Sequence, residues 1–162
     1  MEGERGRGFR NQRTYETMVG AGEEAAFHSR YERALERFAQ SLEGRNVHES
    51  IIDGRAVATG RYVTDTSPID TELVIGEFSV GGKREASSAL AAARRAFQTW
   101  SVMDLDKRLA IFRKAAEIMH GELFELAAAI TFDNGKNRYE AVADVDEVPA
   151  VAGPCRGGRG AA

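Results

Sequence analysis

Residues 83–136 read KREASSALAAARRAFQTW, then SVMDLDKRLAIFRKAAEIMHG, then ELFELAAAITFDNGK. This run decides the fold class, because apolar residues recur in it at helical spacing three times over. In the first piece Ala86, Ala89, Leu90, Ala93, Ala96, Phe97 and Trp100 share one face of a helix predicted over 83–100. Its alanines favour helix, since they give up no side-chain entropy on folding. In the second piece Asp104 is a predicted N-cap. There Leu105, Leu109, Phe112, Ala116 and Met119 form the stripe, and His120-Gly121 ends it. In the third, over 122–132, Leu123, Leu126, Ala127 and Ile130 turn inward. Asp133-Asn134-Gly135-Lys136 breaks that helix, with glycine as the usual stop. A fourth helix starts near Asn137 and passes through Ala141 and Val145. It is expected to stop after Glu147, because Pro149 and Pro154 cannot sit inside a helix.

Upstream, Phe27, Tyr31, Ala34, Leu35, Phe38 and Leu42 fall at helical spacing within 22–43, with Glu and Arg on the opposite face. The stripe is expected to pack on the body of the protein. The period then changes. Ile51-Ile52-Asp53-Gly54-Arg55-Ala56-Val57 reads as strand, tight turn, strand. Asp-Gly favours a type I′ hairpin, which needs positive φ at both central positions. Residues 61–66 and 73–80 are further strands, ended by Ser67-Pro68 and Gly81-Gly82. Residues 51–80 are therefore expected to form a small antiparallel β element. The arm at 1–13 alternates Gly with charge and is expected to be disordered. The same is expected of the Gly-rich tail at 148–162, which has neither helical nor strand period.

Composition narrows the function classes. Apolar residues make up 43% of the 162 and charged residues 29%, as in ordinary globular domains. A formal net charge of -3, with no aromatics interleaved among basic residues, points away from nucleic acid. No apolar run reaches the roughly 18–20 residues of a membrane span, and residues 1–13 lack the apolar core of a secretory signal. A cytoplasmic protein is expected. Cys155 is the one cysteine, so no disulfide framework forms within the chain. His28, His48 and His120 share no metal-ligand spacing, so no metal site is expected. Arg94-Arg95 and Lys107-Arg108 read as solvated helix faces, and Trp100 reads as core.

Order of segments carries a resemblance. Ile51 to Arg55, Ser67-Pro68, Val74-Ile75-Gly76-Glu77, Ala89 to Trp100, Arg108 to Met119 and Glu125 to Lys136 occur collinearly. Together they resemble the start of the aldehyde dehydrogenase superfamily. Two further features are most similar to 1-pyrroline-5-carboxylate dehydrogenases within it. One is the N-terminal helical extension, with Asn11 to Tyr15 and Glu24 to Leu35. The other is Ala143-Asp144-Val145-Asp146-Glu147, which resembles that group's Ala-Asp-Val-x-Glu-Ala-Ile helix. The resemblance implies an α/β fold with a Rossmann-like cofactor domain, a catalytic domain and an oligomerisation flap. It divides this chain into the arm at 1–13, the helical extension at 14–50, the first part of the cofactor domain at 51–147 and a tail outside the family at 148–162. It implies oxidation of L-glutamate γ-semialdehyde to L-glutamate with NAD(P)⁺ by a homo-oligomer, and it gives Glu147 a place at the substrate pocket.

What the resemblance also implies is a list of absences. The family's chemistry needs a nucleophilic Cys that attacks the aldehyde and a Glu that activates water. It needs an Asn and a backbone N–H for the oxyanion, and a Gly-containing turn with a Lys for the cofactor. All lie beyond the family's equivalent of Glu147, and none is found in the 162 residues. Cys155 stands in Gly-Pro-Cys-Arg, a different setting from the family's Gly-Gln-x-Cys, and reads as an incidental thiol. Asp133 matches a position near a monovalent cation in some members, but it reads first as a carboxylate in a helix-ending turn. No catalytic or cofactor-binding residue is therefore assigned, and the chain alone is expected to bind no NAD(P). The apolar stripes it leaves unpartnered are expected to drive self-association. A rival expectation is a non-catalytic helical module that uses these stripes to bind a partner.

Overall fold

The computed structural model describes residues 20–44 and 46–151. The arm at 1–13 and residues 152–162 of the tail lie outside them. Helix α1 (Glu24–Ser41) leads into five short strands: β1 (Val47–His48), β2 (Ser50–Ile52), β3 (Arg55–Val57), β4 (Tyr62–Thr66) and β5 (Val74–Ser79). Four helices follow: α2 (Lys83–Trp100), α3 (Leu105–Gly121), α4 (Leu123–Asn134) and α5 (Arg138–Val151). Among the described residues, no helix is long and apolar enough to cross a membrane.

The hairpin β2–β3 forms as its Asp-Gly turn dictates. Asp53 has φ 55° and Gly54 φ 72°, the two positive values of a type I′ turn, with Ile52 opposite Arg55. The second sheet has the order β1-β5-β4. Strands β4 and β5 are antiparallel, with a register shift at Asp65/Thr66. The expected antiparallel element needs one correction. Val47 and His48 pair in parallel with Glu77 and Phe78, so this sheet is mixed. The parallel strand is possible because α1 and the loop after it return the chain to the free edge of β5. There Asn46 O accepts from Glu77 N at 2.8 Å.

Helices start and stop where their caps put them. Asp104 Oδ1 accepts from Asp106 N and Lys107 N at the head of α3, satisfying donors the first turn would leave open. Gly82 cannot cap α2 with a side chain, so Glu85 reaches back and accepts from Gly82 N at 2.8 Å. Helix α4 ends at Gly135, φ 78°, a left-handed position that glycine adopts without a Cβ penalty. The expected stop after Glu147 is corrected too. The helical backbone runs on through Pro149 to Val151. In the last turn, proline forfeits only its own bond to the carbonyl of Val145, and little helix remains beyond it to disrupt.

The core lies between α1, α4 and α5. Phe27, Tyr31 and Ala34 meet Leu123, Phe124, Ala127 and Ala128, with Ala141, Val142 and Val145 closing the third side. The alanines of α4 and α5 let the backbones approach closely. Aromatic rings fill what remains: Phe27 lies edge-on to Phe124 at 5.7 Å and stacked over Tyr139 at 6.0 Å. Helix α2 is different. Its one buried residue, Ala92, lies off the expected stripe, and on that stripe Leu90 and Phe97 stay 53% and 65% exposed. Its main packing partner is β2, and Arg95 pairs with Asp53 of the hairpin at 3.0 Å. Trp100 is half-buried rather than core, set edge-on to Phe112 at 6.3 Å.

Candidate functional site

The segment that delivers α5 is the elbow at 131–140. Five hydrogen bonds fix it, four of them local. Tyr31 OH donates to Thr131 Oγ1, which donates to Lys136 O at 2.9 Å. Asn134 Oδ1 accepts from Lys136 N at 3.1 Å. Asn137 Oδ1 caps α5 by accepting from Tyr139 N and Glu140 N. From the sheet side, Ser67, fully buried, donates to the Phe132 carbonyl at the end of α4. A Cβ on Gly135 would also touch Pro68. The elbow is thus tied to α1, to the sheet and to itself.

Beyond the elbow, Lys136, Glu140, Asp144 and Glu147 are spaced 4, 4 and 3 residues apart, which sets them on one face. Lys136 Nζ pairs with Asp144 Oδ2. That hydrogen bond raises the ammonium above its ordinary value of 10.5 against the opposing effect of desolvation, with further help from the charges of Asp144, Glu140 and Glu147. Glu147 is exposed on this face. Asp146, one residue earlier, turns the other way and is buried at 8% exposure, and its Oδ2 has no partner among the described residues. Nothing in the sequence pattern marked this carboxylate, because its burial comes from the packing of α5 rather than from local sequence.

The other candidate residues scatter. His28 stands on α1, where Arg138 Nη1 lies 2.9 Å from its Nδ1 and Arg138 also bonds Glu32. His48 stacks on Phe78 at 4.6 Å and closes over Gly76, where any Cβ would meet the imidazole at 2.9 Å. His120 sits in the last turn of α3. Among the described residues, no group of three or more His, Cys, Asp or Glu is placed to hold a metal. Asp133 is exposed at the rim of a groove of about 450 Å³ between α1, the sheet and α4, walled by Phe38, Ile75, Phe78 and Ile130. Cys155 lies outside the described residues.

A dinucleotide phosphate does not fit the junction between β5 and α2. This junction, the one strand–Gly-Gly–helix junction among the described residues, has its helix N-terminus filled by the Glu85 carboxylate. An acid there repels the phosphate that such a junction would otherwise attract. The Gly82 N–H holds Glu85 below its ordinary 4.5, so the plug stays charged at neutral pH.

Two groups make the elbow sensitive to alkali. Burial raises the Tyr31 hydroxyl above 10.0, opposed by the Thr131 hydrogen bond and the charge of Arg138. A raised folded value means the unfolded chain loses its proton first. The stabilisation is therefore complete below pH 10.0 and lost as pH rises through the folded value. Lys136 behaves the same way above 10.5. Urea midpoints should hold steady up to about these values and fall beyond them, and Tyr31→Phe should flatten the early part of the fall. An unchanged profile in Tyr31→Phe would contradict the assignment.

Comparison with known proteins agrees with the collinear pattern. A sequence model of the aldehyde dehydrogenase family matches residues 56–155. The 1-pyrroline-5-carboxylate dehydrogenase of Bacillus pumilus is 29% identical over 117 residues, which are 72% of this chain and 22% of that protein. Its namesake in Geobacillus thermodenitrificans is 34% identical over 114 residues, 70% of this chain and 22% of the relative. A solved structure of 1-pyrroline-5-carboxylate dehydrogenase from Thermus with bound NAD superposes with a TM-score of 0.73 at 29% identity. It covers 94% of this chain and 27% of its own. The chain thus spans about a fifth of the length of the curated relatives it matches.

Proposed function

The chain belongs to the aldehyde dehydrogenase family, and from that premise we propose that it is the N-terminal part of a 1-pyrroline-5-carboxylate dehydrogenase. The whole protein would convert L-glutamate γ-semialdehyde, water and NAD(P)⁺ to L-glutamate, NAD(P)H and protons, the second step of proline degradation. NAD(P)⁺ would supply the hydride acceptor, bound by residues other than those described. This chain contributes the outer helices and the small sheets, and it presents Glu147 toward the substrate pocket. Alone, it does not catalyse the oxidation.

One observation carries the reading: the likeness to the Thermus enzyme covers 94% of the chain, so it takes in α1 as well as the segment matched by the family. The extension is the part that simpler aldehyde dehydrogenases do not share. Exposure of Glu147 suits a side chain that meets a ligand or a later segment. The coding DNA from the Ala143 codon onward tests the reading. One frame should continue α5 and carry the Cys and Glu motifs. If no frame does, the exposed Leu90 and Phe97 favour the second reading, a helical module that binds a partner through α2.

A further inference from the structure

Helix α1 sorts its charges onto two flanks. Glu24, His28 and Glu32 follow one another at i, i+4 and i+8; Glu24 lies against His28, and His28 and Glu32 meet Arg138 of α5. Arg30, Arg33 and Arg37, at i, i+3 and i+7, fall within about 60° of arc on the other flank, since each residue advances about 100°. With Phe124 and Glu125 of α4 they line a depression of about 90 Å³. Three guanidinium groups there face one carboxylate.

Each arginine is held but not used up. The Arg30 guanidinium lies 4.5 Å from the centroid of the Phe124 ring. That contact engages its flat face, and its N–H edge has no hydrogen-bond acceptor among the described residues. Arg33 Nη1 donates to Ser29 Oγ at 2.6 Å, and its remaining donors have no acceptor among the described residues. Arg37 is bound to Glu125. Stacking on a ring and anchoring to a serine pre-order the two free groups, so less entropy is lost when they close on a ligand. The depression is small and open to solvent, a shape that suits one tetrahedral oxyanion.

We propose that Arg30, Arg33 and Arg37 form a binding site for a phosphate group on the α1–α4 surface. The site takes the group through charge-assisted guanidinium hydrogen bonds, with Glu125 as a built-in competitor for Arg37. It does not depend on the dehydrogenase reading. Equilibrium dialysis of the 162-residue chain against radiolabelled inorganic phosphate, at fixed ionic strength set with chloride, tests it directly. Binding should saturate at one phosphate per chain, and R30Q/R33Q should weaken it about tenfold. E125Q should tighten it severalfold by releasing Arg37. R84Q/R113Q, which alters two exposed arginines elsewhere, should leave it unchanged. Because E125Q and R30Q/R33Q move in opposite directions, misfolding of a variant cannot produce both results. Non-saturating binding, binding that chloride abolishes, or an R30Q/R33Q affinity equal to the parent's would overturn the site. Glycerol phosphate in competition then separates the two sources. Tighter binding of the ester places the phosphate on an organic ligand, and equal or weaker binding assigns free phosphate.

Discussion

Replacing Phe27 with alanine is expected to cost about 3–5 kcal/mol of stability, as truncation of a buried Phe does when the site cannot collapse. Phe27 is 2% exposed and sits where three helices meet. Its ring touches Tyr31 from its own helix, Phe124 from α4 and Tyr139 from α5. The neighbours cannot close the gap. Phe124 is pinned under Arg30, and the Tyr31 hydroxyl is tied to Thr131. A domain of this size holds about 5–15 kcal/mol in all, so the loss consumes much of the stability of the α1 attachment. Thermal or urea unfolding of Phe27→Ala measures it. Phe38→Ala is the control, since Phe38 is only partly buried and borders the open groove. Its loss should be clearly smaller. A cost below about 1 kcal/mol for Phe27 would mean that α1 is not held to the body by this face.

The helices were legible because local rules and tertiary packing agree in them. Residues 83–100 were predicted as a helix and form one with those bounds. Asp104 and Gly135 act as cap and stop for the reasons their chemistry gives. The Asp53-Gly54 hairpin follows from two residues alone. Val47-His48 was not legible: two residues are too short for a period, and their pairing depends on where α1 returns the chain. Pro149 differs for the opposite reason: it sits in a last turn, where proline disrupts far less than in a helix interior. Burial was legible only for faces with a partner in this chain. The stripe of α1 is covered as expected, whereas Leu90, Phe97 and Phe112 remain exposed despite an equally clear period. Periodicity tells which face is apolar; it does not say whether anything covers it. The phosphate-sized depression was invisible in sequence, because one of its five wall residues, Glu125, lies 88 positions beyond Arg37.

The same separation of roles leads to the largest expected effect, a complete absence of turnover by this chain. Oxidation of an aldehyde to an acid requires a nucleophile, a base that activates water and a held hydride acceptor. The described residues supply none of these as a set. The only helix N-terminus beside a glycine pair among them is plugged by Glu85, and the acidic face that ends in Glu147 is tied at its head into the Lys136–Asp144 pair. Glu147 is exposed at the end of that face. The account therefore assigns the whole of catalysis to residues outside those described.

The most direct test supplies the purified 162-residue chain with NAD⁺ and L-glutamate γ-semialdehyde and follows reduction of the nicotinamide by its absorbance. The account predicts no reduction above the background of substrate and cofactor alone. Saturable, chain-dependent reduction would contradict it, because the 162 residues would then hold a complete nucleophile, base and cofactor site.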